Sequence, residues 1–116
     1  MKLTDLEAKF VIRTENGFHS GDDVTIENAQ GLWYLCPQCY AKNGGARGTH
    51  HVLNWFRGRG VPADASPGPG RWTPSGAGIA DLSFVPGNPP IAHSVLLNPP
   101  GCGWHGLILN GEATTC

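Results

Sequence analysis

Two short motifs, Cys36-Pro-Gln-Cys39 and Cys102-Gly-Trp-His105, carry the residues of this chain best suited to chemistry. Each sets two soft metal ligands two residues apart, and together they make the four ligands of a tetrahedral zinc site. One such pair is a weak signal, but two, each beside an apolar segment, are a strong one. Three thiolates and a neutral imidazole around Zn²⁺ would leave a site charge of −1 with every position filled. That is the donor set of a structural zinc, not a catalytic one, which keeps a position for water. Residues 40–101 lie between the motifs, so a shared metal would close most of the chain into one loop. The fourth cysteine, Cys116, sits in a terminal Thr-Thr-Cys tail and reads as a free thiol, or as a replacement for His105. Disulfides among the four cysteines are the competing reading. A Cys-x-x-Cys pair is a poor structural staple, and Met1–Phe10 carries charges where a secretion signal needs an apolar run.

A second set of titratable residues could support catalysis. His19, His50, His51 and His93, with Asp64 or Asp81, are the candidates for an acid–base or metal-dependent hydrolase site. His50 and His51 are adjacent on a strand and face opposite ways, so at most one joins any given site. A histidine ligand with an open coordination position would strengthen this enzyme reading. Against it, the chain has no nucleophile elbow, no His-Glu-x-x-His and no phosphate-cradling glycine loop. A zinc deaminase needs His-x-Glu ahead of Pro-Cys-x-x-Cys, and here Leu35 precedes Cys36 with no His-x-Glu upstream.

The elements that must position these residues are short and mostly extended. With 116 residues, seventeen glycines and ten prolines, the chain reads as one domain, 1–116, rich in turns and near the size where a core alone suffices. A metal would supply missing stability. Glu7–Thr14 reads as a strand, and Asn16-Gly17 as a hairpin turn sending Phe18 onward back antiparallel. Thr25 is a candidate cap for one helical turn over Ile26–Gln30, stopped by Gly31. Gly31–Leu35 is a strand delivering Cys36 into a tight turn that Pro37 favours, and Ala41–Gly48 reads as a loop. Thr49–Phe56 is a further strand, and Gly58–Gly78 the loosest stretch. Asp81–Val85, Ser94–Leu97 and Gly106–Leu109 follow as strands, with Asn98-Pro99-Pro100-Gly101 turning toward Cys102. Asn110-Gly111 is a second hairpin signal before Glu112–Thr115. The expected fold is a small, mainly β, antiparallel zinc-ribbon-like domain with long Gly/Pro-rich loops and little helix.

Charge is segregated along the chain. Residues 1–39 hold three basic and six acidic side chains. Residues 40–72 hold Lys42, Arg47, Arg57, Arg59 and Arg71 against Asp64 alone, with Trp55, Phe56 and Trp72 interleaved. Arginines between aromatics suit a nucleic-acid surface. The plainer reading is a solvated face over core aromatics, because Trp55 and Phe56 must point to opposite sides of a strand. No stretch approaches the roughly 20 apolar residues of a membrane span, and reduced, paired cysteines suit a cytoplasmic setting.

The segments LWYLCPQCYAKNGG, GTHHVLNWFRGRGVPADASPGPGRWTPSG and GCGWHGLILNGE resemble a group of small phage and prophage proteins of unknown function with zinc-ribbon-like cysteine clusters. The resemblance runs from LTDLEAKF to NGEATT and is most specific at Cys102-x-x-His105 with the apolar strand and Asn110-Gly111-Glu112 that follow. Val85–His93 is longer than the simple strand expected there. Some members carry the label "ammonia monooxygenase", which these residues do not support, since a membrane ammonia oxidiser needs spanning helices. The resemblance implies a phage-associated accessory protein in the host bacterial cytoplasm, with the two-motif zinc site. A protein that acts by binding a protein partner fits best, with nucleic-acid binding, an enzyme and a virion component as alternatives.

Overall fold

The computed structural model describes residues 1–98 and 101–116, so the turn expected over 98–101 falls partly outside it. The chain runs β1 (Lys9–Thr14), β2 (Gly17–His19), β3 (Gly31–Leu35), α1 (Pro37–Asn43), β4 (His51–Trp55), β5 (Thr73–Ser75), β6 (Ser83–Val85), β7 (Val95–Leu96), β8 (His105–Leu109) and β9 (Glu112–Thr115). The strands form three antiparallel sheets, β2-β1-β3-β4, β5-β6 and β7-β8-β9. The mainly β, antiparallel expectation is met.

Strand alternation explains which side chains build the core. In β3, Leu32 and Tyr34 are fully buried, and opposite them in β4 stand Asn54 and Val52. The buried Tyr34 hydroxyl donates to Asn54 Oδ1 at 2.6 Å, so the one polar side chain here costs no unmet hydrogen bond. The same face packs on Leu3, Leu6, Phe84, Trp104 and Ile108, which join the sheets in one apolar cluster. The opposite face of the large sheet carries a smaller cluster of Val11, Trp55 and Ala65, with Trp33 and Leu53 at its margin. Trp55 and Phe56 therefore enter different clusters, as strand alternation requires.

Four local readings are refined. The stretch after Cys36 is helical where a loop was expected over Ala41–Gly48; Pro37 takes the first helical position, and Gly44 ends the helix in the left-handed region at φ 71°. Around Thr25 the capping is inverted, because Asn28 Oδ1 accepts from the Thr25 N–H at 2.7 Å. Ile79–Asp81 forms a 3-10 turn ahead of β6. The Gly58–Gly78 stretch is tied down by one arginine. Arg71 donates to the carbonyls of Pro62, Ala65, Pro67 and Gly70, while Trp55 Nε1 donates to Ser66 at 3.0 Å. Its last residues form β5 against β6.

Candidate metal centre

Cys36 is the last residue before α1, with extended backbone, and Cys39 lies in the first turn. The residue before a helix and the third residue inside it project toward the same point, the geometry that also makes capping boxes. Cys36 is fully buried and anchored by its N–H, which donates to the His50 carbonyl at 3.0 Å as the β3–β4 ladder closes. That bond brings His50, the residue before β4, beside the two cysteines. Cys102 arrives from the opposite sheet, just ahead of β8. Gln38 Nε2 donates to its carbonyl at 3.2 Å, linking the loop to α1.

One ligand atom from each of Cys36, Cys39, His50 and Cys102 lies within 4.8 Å of every other. The Cys36 and Cys102 sulfurs stand 3.6 Å apart. A tetrahedral site with Zn–S near 2.3 Å has sulfurs about 3.8 Å apart, whereas a disulfide holds them at about 2.05 Å. The Cys36 and Cys102 sulfurs are thus spaced as an ion between them would require, and the chemistry of the four donors, three thiols and an imidazole, fits zinc. His50 Nδ1 contacts the His51 carbonyl at 3.2 Å. That contact orients the ring as outer-shell partners of metal histidines do, leaving Nε2 as the donor.

The thiols are held unequally. Burial first pushes Cys36 up to about 12, against the Cys39 N–H, which lowers it. Burial likewise raises Cys39, with the neighbouring Cys102 adding to the rise. Cys102 is exposed. Its burial contribution is outweighed by the Trp104 N–H and by hydrogen bonds from His50, Cys36 and Cys39, which bring it down to about 7. The metal-free site therefore carries one readily formed thiolate.

Of the residues expected to bind metal, Cys36, Cys39 and Cys102 converge, and His105 does not join them. Trp104 and Gly106 are both buried in the core, so alternation along β8 turns His105 out to solvent. His50 stands where His105 was expected. Its signal in the sequence was its position before an apolar strand, which the Cys-x-x-His spacing overshadowed. Cys116 follows β9, its N–H donating to the His105 carbonyl at 2.9 Å, and it is exposed.

The other titratable candidates are separated. His19 pairs with Asp23 at 2.9 Å on the surface. His51 stacks on Trp33, ring centroids 4.3 Å apart. Asp81 accepts from the Ala77 and Gly78 N–H groups. Among the basic residues of 40–72, Arg57 donates to the Pro89 carbonyl at 2.6 Å, and Arg59 to the carbonyls of Ile26 and Ala29. With Arg71 closing its own loop, three of the five cations are engaged with backbone. No helix of the described residues is long and apolar enough to cross a membrane. No family model matches this chain, and neither curated proteins nor solved structures include one that it resembles significantly.

Proposed function

We propose that this is a zinc-binding accessory protein whose metal is structural and which works by binding a protein partner. The observation that carries the zinc reading is the convergence of four donors from two sheets and a helix, all within 4.8 Å. Cys36, Cys39, His50 and Cys102 would hold the ion, and four protein donors fill a tetrahedron with no position left for water. Bound zinc would supply charge neutralisation for the thiolates and a cross-link between β3–α1–β4 and the β8 sheet. Binding, not catalysis, is supported by the separate neighbours of His19, His51 and Asp81. Arginines committed to carbonyls weigh toward a protein partner and away from nucleic acid. A phage or prophage setting rests on the sequence resemblance alone.

Two experiments test this. Plasma mass spectrometry of untagged protein should find one zinc per chain. Chelation should then expose three thiols beyond Cys116 to a thiol reagent. Zinc-free folded protein, or two protected thiols, would refute the closed site. Co-purification with virions would replace the accessory role with that of a particle component.

A further inference from the structure

Beside the metal centre lies a cleft of about 720 Å³. Two of its walls are strand edges, β4 from His51 to Asn54 on one side and Ser94–Asn98, including β7, on the other, and the Pro67–Gly70 stretch lines it as well. Both strands are terminal in their sheets. A terminal strand presents backbone donors and acceptors to whatever lies beside it.

The hydrogen bonds identify which groups face the cleft. The His50 carbonyl and Phe56 N–H bond to β3 and its flank, so even-numbered residues of β4 turn toward β3. Odd-numbered residues turn outward. Outward at the end of β4, the Trp55 carbonyl accepts from the Trp72 N–H at 3.1 Å, so this edge already takes a pairing segment there. Trp72 meets Phe56 in a parallel bridge, and the Pro67–Gly70 stretch before it also lines the cleft, yet Leu53 makes no backbone hydrogen bond to it or to any other described residue. On the other wall Leu97 bonds across to Trp104, which turns Leu96 outward, likewise without a backbone partner. Leu96 is half exposed, unusual for a leucine beside a core. Trp33, stacked on His51, and Trp72, whose Nε1 donates to the Ser94 carbonyl, supply flat apolar surface. Among the described residues no Asp, Glu, Lys or Arg lines the cleft.

From this we infer that the cleft is the partner-binding site and takes an extended, uncharged segment of a partner protein as a strand added to the outer edge of β4. The inference rests on the protein-binding reading above and names the surface and the chemistry of the partner. An edge needs a backbone, which excludes a planar small molecule as the best match. Walls without ions leave a charged segment without a counter-charge, which makes the occupant uncharged. A recess between two edges admits one strand more readily than the flat edge of a second copy. At about 3.3 Å per residue, the open part of β4, His51–Asn54, offers room for roughly four paired residues. Main-chain bonds would give affinity, and pockets beside Trp33 and Trp72 would select alternate side chains. His50 and Cys102 flank the near ends of the two walls, so bound zinc would also fix the gap between them.

Selection of a phage-displayed library of random decapeptides on zinc-loaded protein tests this, with the enriched peptide remade in soluble form. Expected are uncharged, β-branched sequences that slow exchange of the Leu53 amide at least tenfold. N-methylation at alternate peptide residues should weaken binding at least tenfold, and at the intervening residues should not. Leu53→Pro removes the outward N–H at an edge where proline is tolerated, and should weaken binding at least tenfold with zinc content and circular dichroism unchanged. Should that variant misfold, the N-methyl series decides. No enrichment, or binding indifferent to N-methylation, overturns strand addition; in the second case a protein-binding role survives. A dimer of the free protein abolished by Leu53→Pro would assign the edge to a second copy and also overturn the inference. Zinc is assayed in every sample: one zinc without peptide binding defeats this inference alone, and peptide binding without zinc defeats the metal reading alone.

Discussion

Cys36 and Cys102 face each other at 3.6 Å, yet one is buried and raised to about 12 while the other is exposed and lowered to about 7. Metal binding must therefore displace protons from Cys36 and Cys39, and we expect zinc to release about two protons at pH 8 and more as pH falls through about 7, where Cys102 takes up its own. Calorimetry in buffers of different ionisation enthalpy reads that number directly. Because the ligands bind as thiolates, affinity rises with pH and falls in acid. His50→Ala should weaken zinc binding more than about 100-fold, beyond the 10–100-fold typical of outer-shell partners, whereas His105→Ala should leave it unchanged. Chelator competition distinguishes the two. Cys36 and Cys39 were legible because a Cys-x-x-Cys pair carries its own turn, and Cys102 was found through a pairing with His105 that does not form. The histidine was not, because its placement depends on Trp104 claiming the inward side of β8, which spacing alone does not reveal.

Short elements here are held by specific backbone devices, and each makes a test. Gly106 lies under the Trp104 ring and beside the Thr114 carbonyl, where a methyl group has no room. Gly106→Ala should cost about 3 kcal/mol by overpacking, measurable by urea denaturation. Tyr34→Phe leaves buried Asn54 Oδ1 without its donor and should cost about 1–3 kcal/mol. The Asp81 carboxylate is held below its ordinary range by the Gly78 and Ala77 N–H groups. A depressed folded value contributes stability above the unfolded pKa near 3.9, and that contribution disappears as pH falls through the lower folded value. Asp81→Asn should accordingly flatten the acid limb of the stability curve below about pH 4 while leaving its shape near neutrality intact. Asn110-Gly111 forms the hairpin turn expected of it and β9 keeps its expected bounds, whereas the first hairpin turns one residue early, at Glu15-Asn16, with Gly17 already paired to Thr14. Helix α1 did not announce itself. Its seven residues are too few for an amphipathic period to register, and only Pro37 and Gly44 mark its ends.

At the scale of the whole molecule, one cluster of apolar side chains joins three small sheets, and the metal centre adds a second junction between the large sheet and the β7-β8-β9 sheet. Arginines act as further fasteners, with Arg59 drawing the Ile26–Ala29 turn onto the Phe56 ring. Three of the five cations of a basic, aromatic stretch thus hold backbone carbonyls, a role that only tertiary contacts reveal. Removing zinc should leave the β-structure incompletely anchored. We expect chelation to lower the thermal midpoint by at least about 10 °C, the effect of losing roughly 4 kcal/mol of ligand stabilisation or less, followed by tryptophan fluorescence.

The measurement that bears most directly on this account is X-ray absorption at the zinc edge on untagged protein, with stoichiometry determined on the same sample. Three sulfur neighbours and one imidazole nitrogen at one zinc per chain, with the nitrogen lost in His50→Ala and retained in His105→Ala, is the result expected. A metal-free folded protein, or an imidazole contribution that survives His50→Ala, would contradict it.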